Sequence, residues 1–172
     1  MRPALALPLI AAIAMPAAAQ PTYPVKIPAP GGEVVIPSAR HQASYDEFHY
    51  APARRIGDVI YVSGVIVGPA PDEGTDAAAF EQQVRRAFRQ LDATLKAAGA
   101  SFDDVAMINS FHVWEGPNAP MPRGDQITII NKVKAEYVKG PHPAWTAVGT
   151  TGLLSPRGVV EIQLIAYAPK GG

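Results

Sequence analysis

The chain has 172 residues, of which 48% are hydrophobic and 17% charged, with 15 Lys and Arg balanced by 15 Asp and Glu. That is an ordinary composition for one globular domain with a buried core, and a formal net charge of zero gives no pull towards nucleic acid or an acidic membrane. The lack of cysteine excludes disulfides, thiolate metal sites and a thiol nucleophile, and no two of His41, His49, His112 and His142 stand at i, i+4, so neither a metal nor a cofactor is expected.

The N-terminus starts with Arg2, continues through an apolar run from Ala4 to Met15 and ends in Ala17-Ala18-Ala19. A charged start, an apolar middle too short to span a bilayer and a small-residue cleavage site predict a signal peptide over residues 1–19. The alternative is an N-terminal membrane anchor, which Pro8 and Pro16 disfavour by shortening any helix. Cleavage would leave a mature protein starting at Gln20, periplasmic or secreted, with no membrane anchor. Residues 20–49 form a proline-rich extension without sustained periodicity, expected to be an extended tether with at most one short strand at "EVVI".

Compact structure is expected over residues 50–170. Gly57-Asp58 between two β-prone runs predicts a tight hairpin leading into a buried strand from Val59 to Val67. Phe80, Val84, Phe88, Leu91 and Leu95 recur at helical spacing, with Thr75 or Asp76 as N-cap and Gly99 at the end. A strand follows from Val105 to Trp114, then a loop rich in Pro and Gly. A second helix is expected from near Asp125, with Ile127, Ile130, Val133 and Tyr137 on one face, ending at Gly140-Pro141. The last strands are Trp145 to Thr150 and Val159 to Ala168. The order β-β-α-β-α-β-β predicts an α+β sandwich with two helices on one face of the sheet. The other face carries Val, Ile and Ala and lacks a cover, which predicts an oligomer.

Three polar residues interrupt apolar segments. Glu161 lies inside "VVEIQLIAY", and a carboxylate in a strand must be paired, hydrogen-bonded or wetted by a cleft. By itself it reads equally as a carboxylate bonded to backbone at a sheet edge. Ser63 before Gly64 reads alone as a turn residue, and Asn131 in the second helix as a solvated position. In order, "VSG", "AAGASFDDV", "INKVKAEYV", "PAWTAVG" and "GVVEIQLIAYA" resemble the segments of the reactive-intermediate deaminase family, also called Rid or YjgF-like, from about Tyr50 to Ala168. The resemblance implies a chorismate-mutase-like sandwich with a mixed sheet, assembled as a homotrimer with a small-molecule cleft at each subunit interface.

It also implies hydrolysis of 2-imino acids to 2-keto acids and ammonia, with an arginine holding the substrate carboxylate and a glutamate positioning water. On this chain Tyr50, Ser63, Asn131 and Glu161 match the family's tyrosine, serine, asparagine and glutamate. The family's Pro-Ala-Arg reads here Pro143-Ala144-Trp145. Indole offers one N–H and no charge where guanidinium offers a planar fork, so the exchange costs on the order of 2–5 kcal/mol in holding a carboxylate. Arg54, Arg55, Arg123 and Arg157 are candidate replacements, with Arg123 preferred for its place in the "NAPMPRGD" loop. His112 and Trp114 share a strand face and border either the cleft or the core, and His142 reads as a loop residue. Three readings stay open. One is an exported protein that binds a small molecule and is a poor deaminase. The second is an enamine or imine hydrolase with an atypical substrate, using Glu161 and the backbone carbonyl near Ala147. The third is a non-catalytic trimeric interaction module.

Overall fold

A computed structural model describes residues 21–169, so the predicted signal peptide lies outside the described residues. The chain runs β1 (Val25–Ala29), β2 (Gly32–Ile36), α1 (Ala39–Phe48), β3 (Ala53–Ile56), β4 (Val59–Val67), α2 (Ala77–Ala97), a 3-10 turn (Phe102–Asp104), β5 (Val105–His112), α3 (Arg123–Tyr137), β6 (Ala144–Gly149) and β7 (Val160–Tyr167). The seven strands form one sheet in the order β1-β2-β3-β4-β7-β5-β6. β5 and β6 are parallel and every other pair is antiparallel, giving the mixed sheet of an α+β sandwich.

The two predicted helices form for the reasons their sequence carries. α2 buries Phe80, Val84, Ala87, Phe88, Leu91 and Leu95 on one stripe, and the Asp76 side chain caps it by accepting from the Ala79 N–H at 2.9 Å. α3 buries Ile130 and Val133, and Tyr137 at its end packs with Phe88 and Phe102 at ring separations of 5.4 and 5.1 Å. Arg55, fully inside, donates to the carbonyls of Ala98 and Ala168 at 2.9 and 2.8 Å and so joins the end of α2 to the end of β7. A buried guanidinium is tolerable here because unpaired helix-terminal and strand-terminal carbonyls surround it.

The tether reading of residues 20–49 is corrected. Gly31, at φ 75°, turns β1 back onto β2, and Val35 and Ile36 are fully buried as β2 extends the sheet beyond β3. Pro28 is tolerated because β1 is the outermost strand. Compact structure therefore starts near Val25, and α1 is a third helix. It buries none of its residues, so it carries no apolar stripe that periodicity would detect.

Along β7, Val160, Ile162, Leu164 and Ala166 are buried under the helices, while Glu161, Gln163, Ile165 and Tyr167 alternate onto the other face. By register, Ile56, Tyr61, Phe111 and Val148 share that second face, and with Tyr167 they are 39% to 56% exposed. No described element covers this face.

Candidate functional site

The site starts at a break in the ladder. Val62 faces Leu164 and Val65 faces Ile162, so Ser63 and Gly64 together oppose only Gln163. Such a bulge turns strand residues out of regular alternation and re-aims them. The Ser63 hydroxyl donates to the Ala51 carbonyl at 2.6 Å, and its N–H bonds the Pro52 carbonyl at 3.0 Å. Above the bulge opens a cavity of 560 Å³ between α1, α2 and β4, lined by Tyr50, Ser63 and Gly64 together with Arg40, His41 and Arg86. Glu161 does not line it. Its half-buried carboxylate lies against Gly64, where any Cβ would collide with it, so Gly64 is the contact between the carboxylate and the cavity wall.

Trp145 lies elsewhere. From β4 the sheet passes through β7 and β5 before reaching β6, three strand spacings or about 14 Å at ~4.8 Å each. The half-buried Trp145 indole N–H donates to the Ser110 hydroxyl at 2.8 Å, and Ser110 in turn lies 2.8 Å from His112 Nε2. The indole can only donate, so Ser110 accepts from it, while the direction of the Ser110–His112 bond follows the histidine tautomer. Nδ1 and Gln126 Oε1 are both buried without a well-formed bond, and Gln126 on α3 is the polar neighbour that His112 feels. Burial holds the His112 pKa below its ordinary value, with the Gln126 contact opposing part of that shift.

The upper face of the indole is also occupied, because Lys134 Nζ sits 4.5 Å from the ring centroid. Partial burial lowers the Lys134 pKa. Asn131 precedes Lys134 by three residues, hence on the same side of α3, and is exposed. Ala147 is exposed on β6, an edge strand whose outer backbone groups have no partner among the described residues. Of the candidate residues, one chain thus brings together Tyr50 and Ser63, with Glu161 behind Gly64, and separately places Trp145 and Ala147 on β6 and Asn131 on the side of α3 that carries Lys134.

None of the four replacement arginines reaches Trp145 within the chain. Arg55 is spent in the core, Arg54 donates to the Pro30 carbonyl, and Arg157 donates to those of Pro69 and Ala70. Arg123 is exposed at the start of α3 beside Trp114, Gly149 and Thr150, near the far end of β6 from Trp145. Gly149 is four residue steps along the strand from Trp145, about 13 Å at ~3.3 Å per step. His112 is fully buried and stacks on Trp114 at 4.2 Å, so it belongs to the core. The sequence reading missed Arg40, His41, Ser110 and Lys134. The lysine three residues after Asn131 was the one signal available, while the other three acquire meaning only from the cavity and the packed interior.

Comparison with known proteins follows the same lines. The Endoribonuclease L-PSP family matches residues 41–168. The RutC family protein YjgH of Escherichia coli K12 is 40% identical over 136 residues, 79% of this chain and 95% of that protein. A 2-iminobutanoate/2-iminopropanoate deaminase of Dermatophagoides farinae is 27% identical over 117 residues, 67% of this chain and 83% of its own length. Among solved structures, one of a protein YJGH from structural genomics matches with a TM-score of 0.57 at 39% identity, covering 74% of this chain and 89% of that one.

The Ser110–His112–Gln126 line predicts a pH dependence of stability. Unfolded histidine titrates near ~6.5 and buried His112 below that, so the unfolded state takes up the proton first as pH falls. The contribution is complete above about pH 6.5 and is lost as pH drops through the folded value. His41, also lowered, adds to the same window. Thermal unfolding between pH 7.5 and pH 5.5, above the carboxylate range, should show a falling melting temperature. His112→Phe should lower stability overall and flatten that fall relative to the unsubstituted protein.

Proposed function

The chain belongs to the endoribonuclease L-PSP family, the YjgF/Rid family, and from that premise we propose that it is an exported protein which binds a small molecule in clefts completed by a second copy and is a poor 2-imino acid deaminase. The observation that carries the weak-deaminase reading is the state of Trp145. Its single donor is used by Ser110 and its ring face by Lys134, so it has neither a charge nor a free N–H to offer a carboxylate. Lys134 brings an ammonium to the place, but a point charge over a ring does not reproduce the two parallel bonds of a guanidinium.

A second reading keeps catalysis, as an enamine or imine deaminase acting on a less anionic substrate. It is favoured by Glu161, a half-buried carboxylate packed against Gly64 on the second face of the sheet, where it would orient water. Turnover of 2-iminopropionate separates the two. The unmodified protein should barely exceed spontaneous hydrolysis, and Trp145→Arg should raise the rate. The gain should be partial, since Ser110 loses its indole donor and the new guanidinium lacks prepared support. Adding Glu161→Gln should remove the gain. Rapid turnover by the unmodified protein would overturn the weak-deaminase reading.

Assembly as a homotrimer is supported by the uncovered apolar face, the open β6 edge and the separation of Tyr50 and Ser63 from Trp145 and Asn131. A second copy would bring one group to the other. Light scattering on the mature protein should give roughly three times the subunit mass, and a stable monomer at micromolar concentration would refute the trimer.

Export is supported by the charged, apolar and small-residue segments of residues 1–19. Mass spectrometry of the natural protein should find an N-terminus at or close to Gln20. A soluble cytosolic form retaining Met1 would count against it.

A further inference from the structure

The cavity over the β4 bulge has a charge character that the motif comparison does not supply. Its lining includes Arg40, His41 and Arg86 and, among the described residues, no Asp or Glu. Arg86 is already neutralised, since its guanidinium pairs with Glu73 and also donates to the Gly68 carbonyl at 2.7 Å. Arg40 is in a different state. It is exposed at the start of α1, and its guanidinium makes no ion pair or hydrogen bond among the described residues. Its charge reaches the cavity, where, after burial, it is the second cause lowering the pKa of half-buried His41. Arg40 stands one residue before the residues 41–168 that match the family model.

The neighbouring groups complete a polar pattern. Ser63 gives its hydroxyl proton to the Ala51 carbonyl, which leaves its oxygen as an acceptor towards the cavity. The exposed Tyr50 stands on the same wall. A ligand suited to this wall has an anionic end for Arg40 and an N–H or O–H for Ser63.

We propose that Arg40 is the carboxylate anchor of this cleft, holding a small organic acid from the α1 side. The inference rests on the reading of the cavity as a ligand site and adds its substrate class and specificity residue. An acid held from α1 is gripped by a different element from the β6 position that Trp145 occupies. Its α-carbon therefore does not take the place that a β6 arginine would set, and the cleft binds acids without deaminating 2-imino acids rapidly.

The test uses pyruvate and its neutral counterpart pyruvamide, titrated calorimetrically into the full mature protein. Arg40→Gln should weaken pyruvate binding by about tenfold or more, the loss of a charge-assisted pair, and leave pyruvamide within about twofold. Arg40→Lys should recover part of the affinity, because the charge returns without the planar fork. Arg89→Gln, an exposed α2 position outside the cavity lining, should change nothing. Because the Arg40 guanidinium makes no ion pair or hydrogen bond among the described residues, the variants should melt with the unsubstituted protein. Equal pyruvate affinity with and without Arg40 would overturn the proposal while leaving the ligand-site reading in place. Failure of the unsubstituted protein to bind either probe would overturn both.

Discussion

The hydrogen bond from the Trp145 indole to Ser110 governs the β6 side of the molecule. A buried serine hydroxyl beside a buried histidine needs a donor as well as an acceptor, and in this interior the indole is the donor that arrives. The bond sets the orientation of His112, which stacks on Trp114, and Trp114 in turn fills the space that a side chain on Gly149 would need. The β6 edge, the end of β5 and the start of α3 are thereby held in one arrangement. What would be a ligand-facing position in a pattern that places arginine there has become part of the core's polar accounting. Lys134 above the ring completes the enclosure.

On the β4 side the corresponding constraint is the two-against-one opposition of Ser63 and Gly64 to Gln163. A regular strand would have placed Ser63 and Glu161 by alternation alone and left no opening. The bulge frees Ser63 to bond Ala51, exposes Gly64 to the cavity and provides the space the Glu161 carboxylate fills. Two chemically distinct regions, one at the sheet's central strand and one at its β6 edge, thus stand about three strand spacings apart, and the apolar face between them has no cover among the described residues. The proposed assembly answers both facts with one contact.

The N-terminal segment has two roles. β2 adds buried apolar area to the sheet through Val35 and Ile36, and this anchorage holds α1 beside α2 although α1 buries nothing itself. A helix held by its flanks rather than by an apolar stripe is free to carry polar residues, and Arg40, His41 and Ser44 line the cavity. Arg55, Arg54, Arg86 and Arg157 are used by carbonyls or carboxylates of the fold, and Arg40 is left to the cavity.

The sequence by itself determined α2, the strands from Val59 onward, α3 to within two residues of its start, and the apolar second face, because each rests on local periodicity, capping or turn chemistry. It also determined the family, since the motifs around Ser63, Ser101 and Glu161 are contiguous in the chain. It exposed the arginine-to-tryptophan exchange but not its consequence. The tertiary structure decided that Trp145 serves Ser110, that Arg55 is a core residue and Arg123 stands far from Trp145, and that the proline-rich segment is a hairpin and a helix. Hydrogen-bond partners are set by which donors and acceptors folding buries together, here across separations of 35 residues for Trp145 with Ser110 and 113 for Arg55 with Ala168. No local pattern in the chain encodes pairings at that range.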